Sequence, residues 1–150
     1  MKLKVNKNVV EEQKALKHEE NVRRGKNAKR KGGQYERTIA DRFRERFGLD
    51  LKRTPQSGGF AKKSTKADDF RGDITLVDES KDFRLHVECK NCKTWSLPKW
   101  LKQAQDDCPK GRKPLVIFHK HNTSEDYVCM RLEDFFDLVD ETLLTVERKV

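Results

Sequence analysis

Apolar and polar positions alternate most clearly between residues 73 and 90. Asp73-Ile74-Thr75-Leu76-Val77 and Phe83-Arg84-Leu85-His86-Val87-Glu88-Cys89-Lys90 are two runs rich in β-branched and apolar residues, with the polar turn Asp78-Glu79-Ser80-Lys81-Asp82 between them, which predicts a β-hairpin. Side chains alternate along a strand, so Leu85, Val87 and Cys89 share one face and His86, Glu88 and Lys90 the other. A four-residue loop, Glu79 to Asp82, sets Asp78 opposite Phe83 and therefore Asp73 opposite Glu88, with Cβ atoms about 5 Å apart.

Helical periodicity brackets this hairpin. Tyr35, Ile39, Phe43 and Phe47 recur every fourth residue in a helix predicted from Gln34 to Phe47, with Gly48 as its stop. Glu36 falls inside that apolar stripe on the helical wheel, whereas Arg37, Asp41, Arg44 and Glu45 point outward. A first-turn glutamate can simply complement the helix dipole, but one aimed inward calls for a partner. Leu49 to Arg53 reads as a short strand, and Ser96 and Pro98 start a helix buried through Trp100, Leu101, Ala104 and Cys108. The uninterrupted apolar run Leu115-Val116-Ile117-Phe118 predicts a strand inside the sheet, and Tyr127 to Met130 another. Leu132, Phe135, Phe136, Val139 and Leu143 mark the buried stripe of a last helix. This order of elements implies an α/β fold with a central mixed sheet flanked by helices.

Composition divides the chain unevenly. Of the formal net charge of +9, residues 1–34 supply 11 Lys or Arg against 4 Glu, and the rest supplies 23 against 21. The expected organisation is a partly flexible basic arm over 1–31, containing a short charged helix from Val10 to Arg24 and a joint at Lys29-Arg30-Lys31-Gly32-Gly33, followed by one domain over 32–150. Such an arm either gains affinity for nucleic acid by releasing counterions or is a solvated tail. No apolar run reaches membrane-spanning length and the start Met1-Lys2-Leu3-Lys4 lacks a signal sequence, so a soluble cytoplasmic location is expected, in a prokaryotic or infected host cell.

The chemistry concentrates where two carboxylates face each other. Like charges side by side are destabilising unless a ligand neutralises both, and oxygen donors at this spacing suit a hard divalent cation such as Mg2+. Lys90 lies about 7 Å further along the same face, within reach of a water or phosphate at such a cation. The connection from Thr54 to Arg71 holds Pro55, Ser57-Gly58-Gly59 and the basic Lys62, Lys63 and Lys66. It reads either as a loop that approaches a phosphodiester closely or as a merely flexible segment. Cys89 and Cys92 form a lone C-x2-C, with His119 and His121 as the extra ligands a zinc site would need. Ordinary reduced cysteines and satisfied or exposed histidines are the simpler expectation.

Gly72-Asp73-Ile74 followed by Glu88-Cys89-Lys90 resembles the acidic motifs of the PD-(D/E)xK nuclease superfamily, with Gly72 in place of the proline of that name. With Lys31-Gly32, Glu36-Arg37, Arg53 and Ser57-Gly58 in the same order, the chain resembles archaeal-type Holliday junction resolvases over roughly residues 31 to 93. Small phage-encoded endonucleases are similar too. The resemblance implies a restriction-endonuclease-like core, with Mg2+ (or Mn2+) bound by Glu36, Asp73 and Glu88. It also implies Lys90 orienting or activating the attacking water and Ser57 in a catalytic loop. Arg53, Ser57, Gly58, Lys62, Lys63 and Lys93, with Lys29, Arg30 and Lys31 of the arm, would meet DNA. The partners implied are branched DNA, four-way junctions above all, and a second copy in a homodimer. Other readings are a nicking, restriction or repair endonuclease of the same superfamily and a non-catalytic DNA-binding protein.

Overall fold

The computed structural model describes residues 7–54, 72–77, 83–121 and 123–147, with side chains described over 10–54, 72–77, 83–121 and 123–140. One long helix, α1 (Lys7–Phe47), leads into β1 (Leu51–Arg53), β2 (Ile74–Leu76) and β3 (Leu85–Cys92). Then come α2 (Leu97–Asp107), β4 (Lys113–Lys120), β5 (Asp126–Cys129) and α3 (Leu132–Glu147). The strands lie in their chain order in one five-stranded sheet. Every neighbouring pair is antiparallel except β3 and β4, which run parallel across the α2 crossover, as a parallel pair requires. This is the α/β architecture with a mixed central sheet that the sequence predicts, compatible with a restriction-endonuclease-like core.

The sheet is buried on both sides because β3 and β4 alternate two apolar faces. Tyr35, Ile39 and Ala40 of α1 pack on Leu51, Ile74, Val87, Cys89, Leu115 and Ile117. On the other side Trp100 and Ala104 of α2 pack on Val116 and Phe118, which makes Trp100 a core residue. Ile74 pairs with Val87, so the next step of the antiparallel register sets Asp73 across from Glu88, as expected from the loop length. The turn over 78–82 lies outside the described residues.

Two expectations are corrected. The predicted joint at Lys29–Gly33 is helical, and α1 is one helix of 41 residues, about 60 Å long. The helix's three interior glycines, Gly25, Gly32 and Gly33, cost only about 1 kcal/mol each relative to alanine, and the flanking Lys, Arg, Glu, Gln and Ala residues are good helix formers. Gly33 has a packing role as well: a Cβ there would stand 3.1 Å from Arg53 Nε, so its absence lets the guanidinium cross the helix surface. The second correction concerns apolar stripes. Phe47, the last residue of α1, is exposed, as are Leu132, Phe135 and Phe136 of α3; side chains beyond 140, including Leu143, lie outside the described ones.

A polar clasp joins α1 to the far edge of the sheet. Tyr35 donates to Asp126 Oδ1 at 2.8 Å, Arg42 forms an ion pair with the same carboxylate, and His119 Nδ1 lies 3.1 Å from it. Burial pushes the Tyr35 hydroxyl's pKa upward, with the Asp126 bond acting in the same direction, so the phenol stays a donor. His119 thus has the partner its sequence neighbourhood does not reveal.

Candidate active site

The site is built on backbone before side chains. Asp73 donates its N–H to Val87 O at 2.9 Å and accepts Thr54 N–H at 2.9 Å through its own carbonyl. Its residue is therefore fixed between β1 and β3, and its Oδ2 accepts the Cys89 N–H at 2.8 Å. Gly72 makes this approach possible. It adopts φ +90°, and an added Cβ would lie 3.0 Å from Val87 O and 3.1 Å from the His86 ring. Gly72→Ala therefore combines backbone strain with a clash against main chain, and we expect it to lower stability by about 2–4 kcal/mol. Chemical denaturation that gives a change below 0.5 kcal/mol would refute this account of the position.

Glu88 projects from β3 on the same face, with its side chain only 7% exposed. Lys90 Nζ lies 3.2 Å from Glu88 Oε2 and donates to Gln103 Oε1 at 3.1 Å, while Gln103 Nε2 reaches Glu88 Oε2 at 3.4 Å. The fully buried His86 ring places Nε2 3.8 Å from Glu88 Oε1. Glu36, in the interior of α1 rather than in a first turn, pairs with the Arg53 guanidinium that Gly33 admits. Its inward direction thus has a partner, and the helix-end explanation no longer applies.

Electrostatics identify Asp73 as the centre of this corner. Burial raises the Glu88 pKa to about 7, and the Asp73 charge adds to the rise against the opposing pull of Lys90. Burial and the same Asp73 charge raise Glu36, against Arg53. Two carboxyl groups raised by burial and further by a third carboxylate are an unbalanced negative set, and oxygen donors of this kind fit a hard divalent cation. The fit is closest for Asp73 and Glu88, which share a face. Among the described residues no three acidic, histidine or cysteine side chains gather as a ready metal cluster, and Glu36 is turned to Arg53.

The remaining sequence-predicted residues separate by position. Lys29, Arg30 and Lys31 are exposed on α1 and Lys93 is exposed just past β3, whereas Ser57, Gly58, Lys62 and Lys63 lie outside the described residues. Cys89 packs in the core on the α1 side and Cys92 on the α2 side. An extended strand turns residues three apart to opposite faces, so this C-x2-C does not converge on one ion.

Gln103 is the contact of Glu88 and Lys90 that sequence reasoning passes over. It sits on the polar side of α2, one position before buried Ala104, and only the folded crossover brings it to Glu88 and Lys90. Gln103→Leu should slow cleavage about tenfold with KM little changed, because it frees Lys90 without removing it. Gln103→Glu, which keeps an acceptor for Lys90, should recover part of the rate, and single-turnover kinetics that leave the leucine variant at the wild-type rate would remove Gln103 from the site.

A facing pair of acids on adjacent strands, a lysine two residues past the second acid and a glutamate on the preceding helix, all on a mixed sheet, define a nuclease core of the PD-(D/E)xK type. Residues 27–149 match the family described as "Phage putative PDDEXK endonuclease". The chain belongs to that family of phage endonucleases, whose superfamily typically uses divalent metals. No curated protein and no solved structure matches the chain. Among the described residues no helix is long and apolar enough to cross a membrane.

Proposed function

We propose that the protein is a Mg2+-dependent endonuclease that resolves four-way DNA junctions by paired nicks, acting as a homodimer. The observation that carries the hydrolytic reading is the buried Asp73–Glu88 pair with Lys90 3.2 Å from Glu88. A polyanion binder gains nothing from buried acids at its contact surface, whereas a phosphodiesterase needs them. The preference for junctions is supported by the resemblance to archaeal-type Holliday junction resolvases in the order of Lys31-Gly32, Glu36-Arg37, Arg53 and Ser57-Gly58 around these motifs.

A bound divalent cation supplies charge neutralisation at the scissile phosphate and lowers the pKa of water. Asp73 and Glu88 offer the carboxylate oxygens that would hold it, and Asp73 Oδ2 is oriented by the Cys89 N–H. Lys90 Nζ, held by Glu88 and Gln103, donates a hydrogen bond toward the attacking water or a phosphate oxygen. Water adds to phosphorus, one P–O bond breaks, and the leaving oxygen takes a proton. Arg53 keeps the Glu36 carboxylate at the edge of this corner.

Exposed Lys29, Arg30 and Lys31 lie along a helix that projects from the domain, in position to follow a DNA backbone. Deleting residues 1–30 should weaken DNA binding and lessen its salt dependence, each lost phosphate contact reducing the slope of log K against log salt by about 0.9. Titrations across a salt series that return an unchanged slope would separate the arm from DNA.

The test of the whole reading compares cleavage of an end-labelled four-way junction with that of a matched linear duplex in Mg2+. Symmetric nicks in opposed strands of the junction alone are expected. Equal cutting of both would move the function to a nicking, restriction or repair nuclease, and binding without cutting under several divalent metals would favour a non-catalytic DNA-binding protein.

A further inference from the structure

One ring stands between the two acidic motifs. His86, a β3 residue on the Glu88 face, is 1% exposed, and its side chain is 0% exposed. On one side the ring abuts Gly72, where a Cβ would lie 3.1 Å from Nδ1 and from Cε1. On the other, Nε2 lies 3.8 Å from Glu88 Oε1. The same imidazole therefore bears on the backbone that leads into Asp73 and on the carboxylate that faces Asp73.

A leucine at this position would fill the space without the desolvation cost of a buried polar ring. What histidine adds is a nitrogen at each of those contacts. Lys90 and Gln103 meet Glu88 at Oε2, 3.2 and 3.4 Å away, so His86 stands at the other oxygen. Its Nε2 is too distant for a hydrogen bond, yet near enough for an N–H to attract the carboxylate and limit its rotation. The acid is thus bounded at both oxygens.

We propose that His86 is a positioning residue for the Asp73 and Glu88 pair. Its ring keeps Gly72-Asp73 and the Glu88 carboxylate apart, and its Nε2–H fixes the orientation in which that carboxylate meets a divalent cation. The inference rests on the reading of these acids as cation ligands; His86 itself touches neither cation nor substrate.

Mn2+ binding to the full chain without DNA, followed through the paramagnetic resonance of the free ion at fixed pH, tests it. His86→Leu keeps the bulk without the nitrogens and should bind Mn2+ about tenfold more weakly than wild type. His86→Gln carries an amide N–H near the place of Nε2 and should recover to within about threefold of wild type; His86→Asn, whose amide falls near Nδ1, should stay as weak as leucine. A ring that only fills space predicts the reverse, with leucine as good as histidine. Equal binding by His86→Leu and wild type, or a glutamine variant no tighter than leucine, would overturn the proposal. If the variants do not fold, wild type decides: Mg2+ should shift the nitrogen resonances of the His86 ring but not those of exposed His18 on α1, and an unmoved His86 ring overturns the role. Asp73→Asn, measured alongside, keeps the two readings apart. Mn2+ bound equally by wild type and Asp73→Asn would remove the carboxylate pair as the cation site, and this inference with it, whereas loss in Asp73→Asn without loss in His86→Leu would remove His86 alone.

Discussion

Lys90→Ala should reduce DNA cleavage about a thousandfold or more while leaving DNA affinity within about threefold of wild type. The reasoning is local. Lys90 sits at the rim of the corner, its Nζ held at 3.2 Å from Glu88 and 3.1 Å from Gln103, so its charge is fixed where a reacting phosphate would lie. A single lysine contributes little to affinity among the 34 basic residues of the chain, because phosphate contacts add roughly equally. A charge positioned at the reacting group acts on the transition state instead. Single-turnover rates and equilibrium binding measured on the same substrate separate the two. If cleavage and binding fall together in a folded variant, Lys90 is a DNA contact and not part of the chemistry.

Glu88→Gln should do something less intuitive, abolishing cleavage while making the metal-free protein more stable at alkaline pH. The sign follows from the direction of the shift. The Glu88 carboxyl titrates near 4.5 when unfolded and about 7 when folded, so the folded state disfavours the ionised form. Its contribution is favourable only while the carboxyl remains protonated and is lost as pH rises from about 4.5 through 7. By pH 8 the metal-free wild type bears a cost on the order of 3 kcal/mol. Glutamine, which does not ionise, removes that cost, less whatever Lys90 loses when its anionic partner goes. Thermal melting without metal should therefore place the variant about 4–10 °C above wild type at pH 8 and near it at pH 5. Added Mg2+ should close the gap by raising the wild type. A variant less stable than wild type at pH 8 would show that Glu88 is a stabilising ion-pair member and not a strained functional carboxylate.

The parts of this site that could be read from the sequence are those fixed by short-range periodicity. Asp73 opposite Glu88 follows from a two-residue alternation and one loop length, and Ile74 does pair with Val87. Glu36 inside the apolar stripe of its helix follows from the helical wheel, whereas Arg53, which the resemblance assigns to DNA, becomes its partner only in the fold. Gln103 was not legible because its role arises from a crossover that brings the polar side of α2 over β3, a tertiary relation with no local signal. His119 was hidden for a similar reason: Asp126 stands opposite it only because β4 and β5 pair in that register.

Helix periodicity was informative about which side of α3 is apolar and silent about what covers it. Leu132, Phe135 and Phe136 of the expected stripe face solvent and Val139 is half-buried, while Asp134 is turned inward and the largely exposed Asp137 reaches Lys113. α1 runs on through the glycine signal at 32–33 for an energetic reason. Gly32 and Gly33 are local penalties, small beside the propensity of the residues around them, and Gly33 sits where the Arg53 guanidinium needs space. Turn and breaker signals report local cost and not its sum over a long helix.

The central claim is that Asp73 and Glu88, with Lys90 beside them, form a divalent-metal hydrolytic centre. Its most direct test is the single-turnover cleavage rate of a labelled four-way junction across a Mg2+ titration, for wild type and Asp73→Asn, with a chelator control. The account predicts a saturable Mg2+ dependence, no cleavage with chelator, and a loss of about a thousandfold or more in Asp73→Asn at any Mg2+ concentration. Cleavage that persists in chelator, or an Asp73→Asn enzyme that cuts at the wild-type rate, would contradict it.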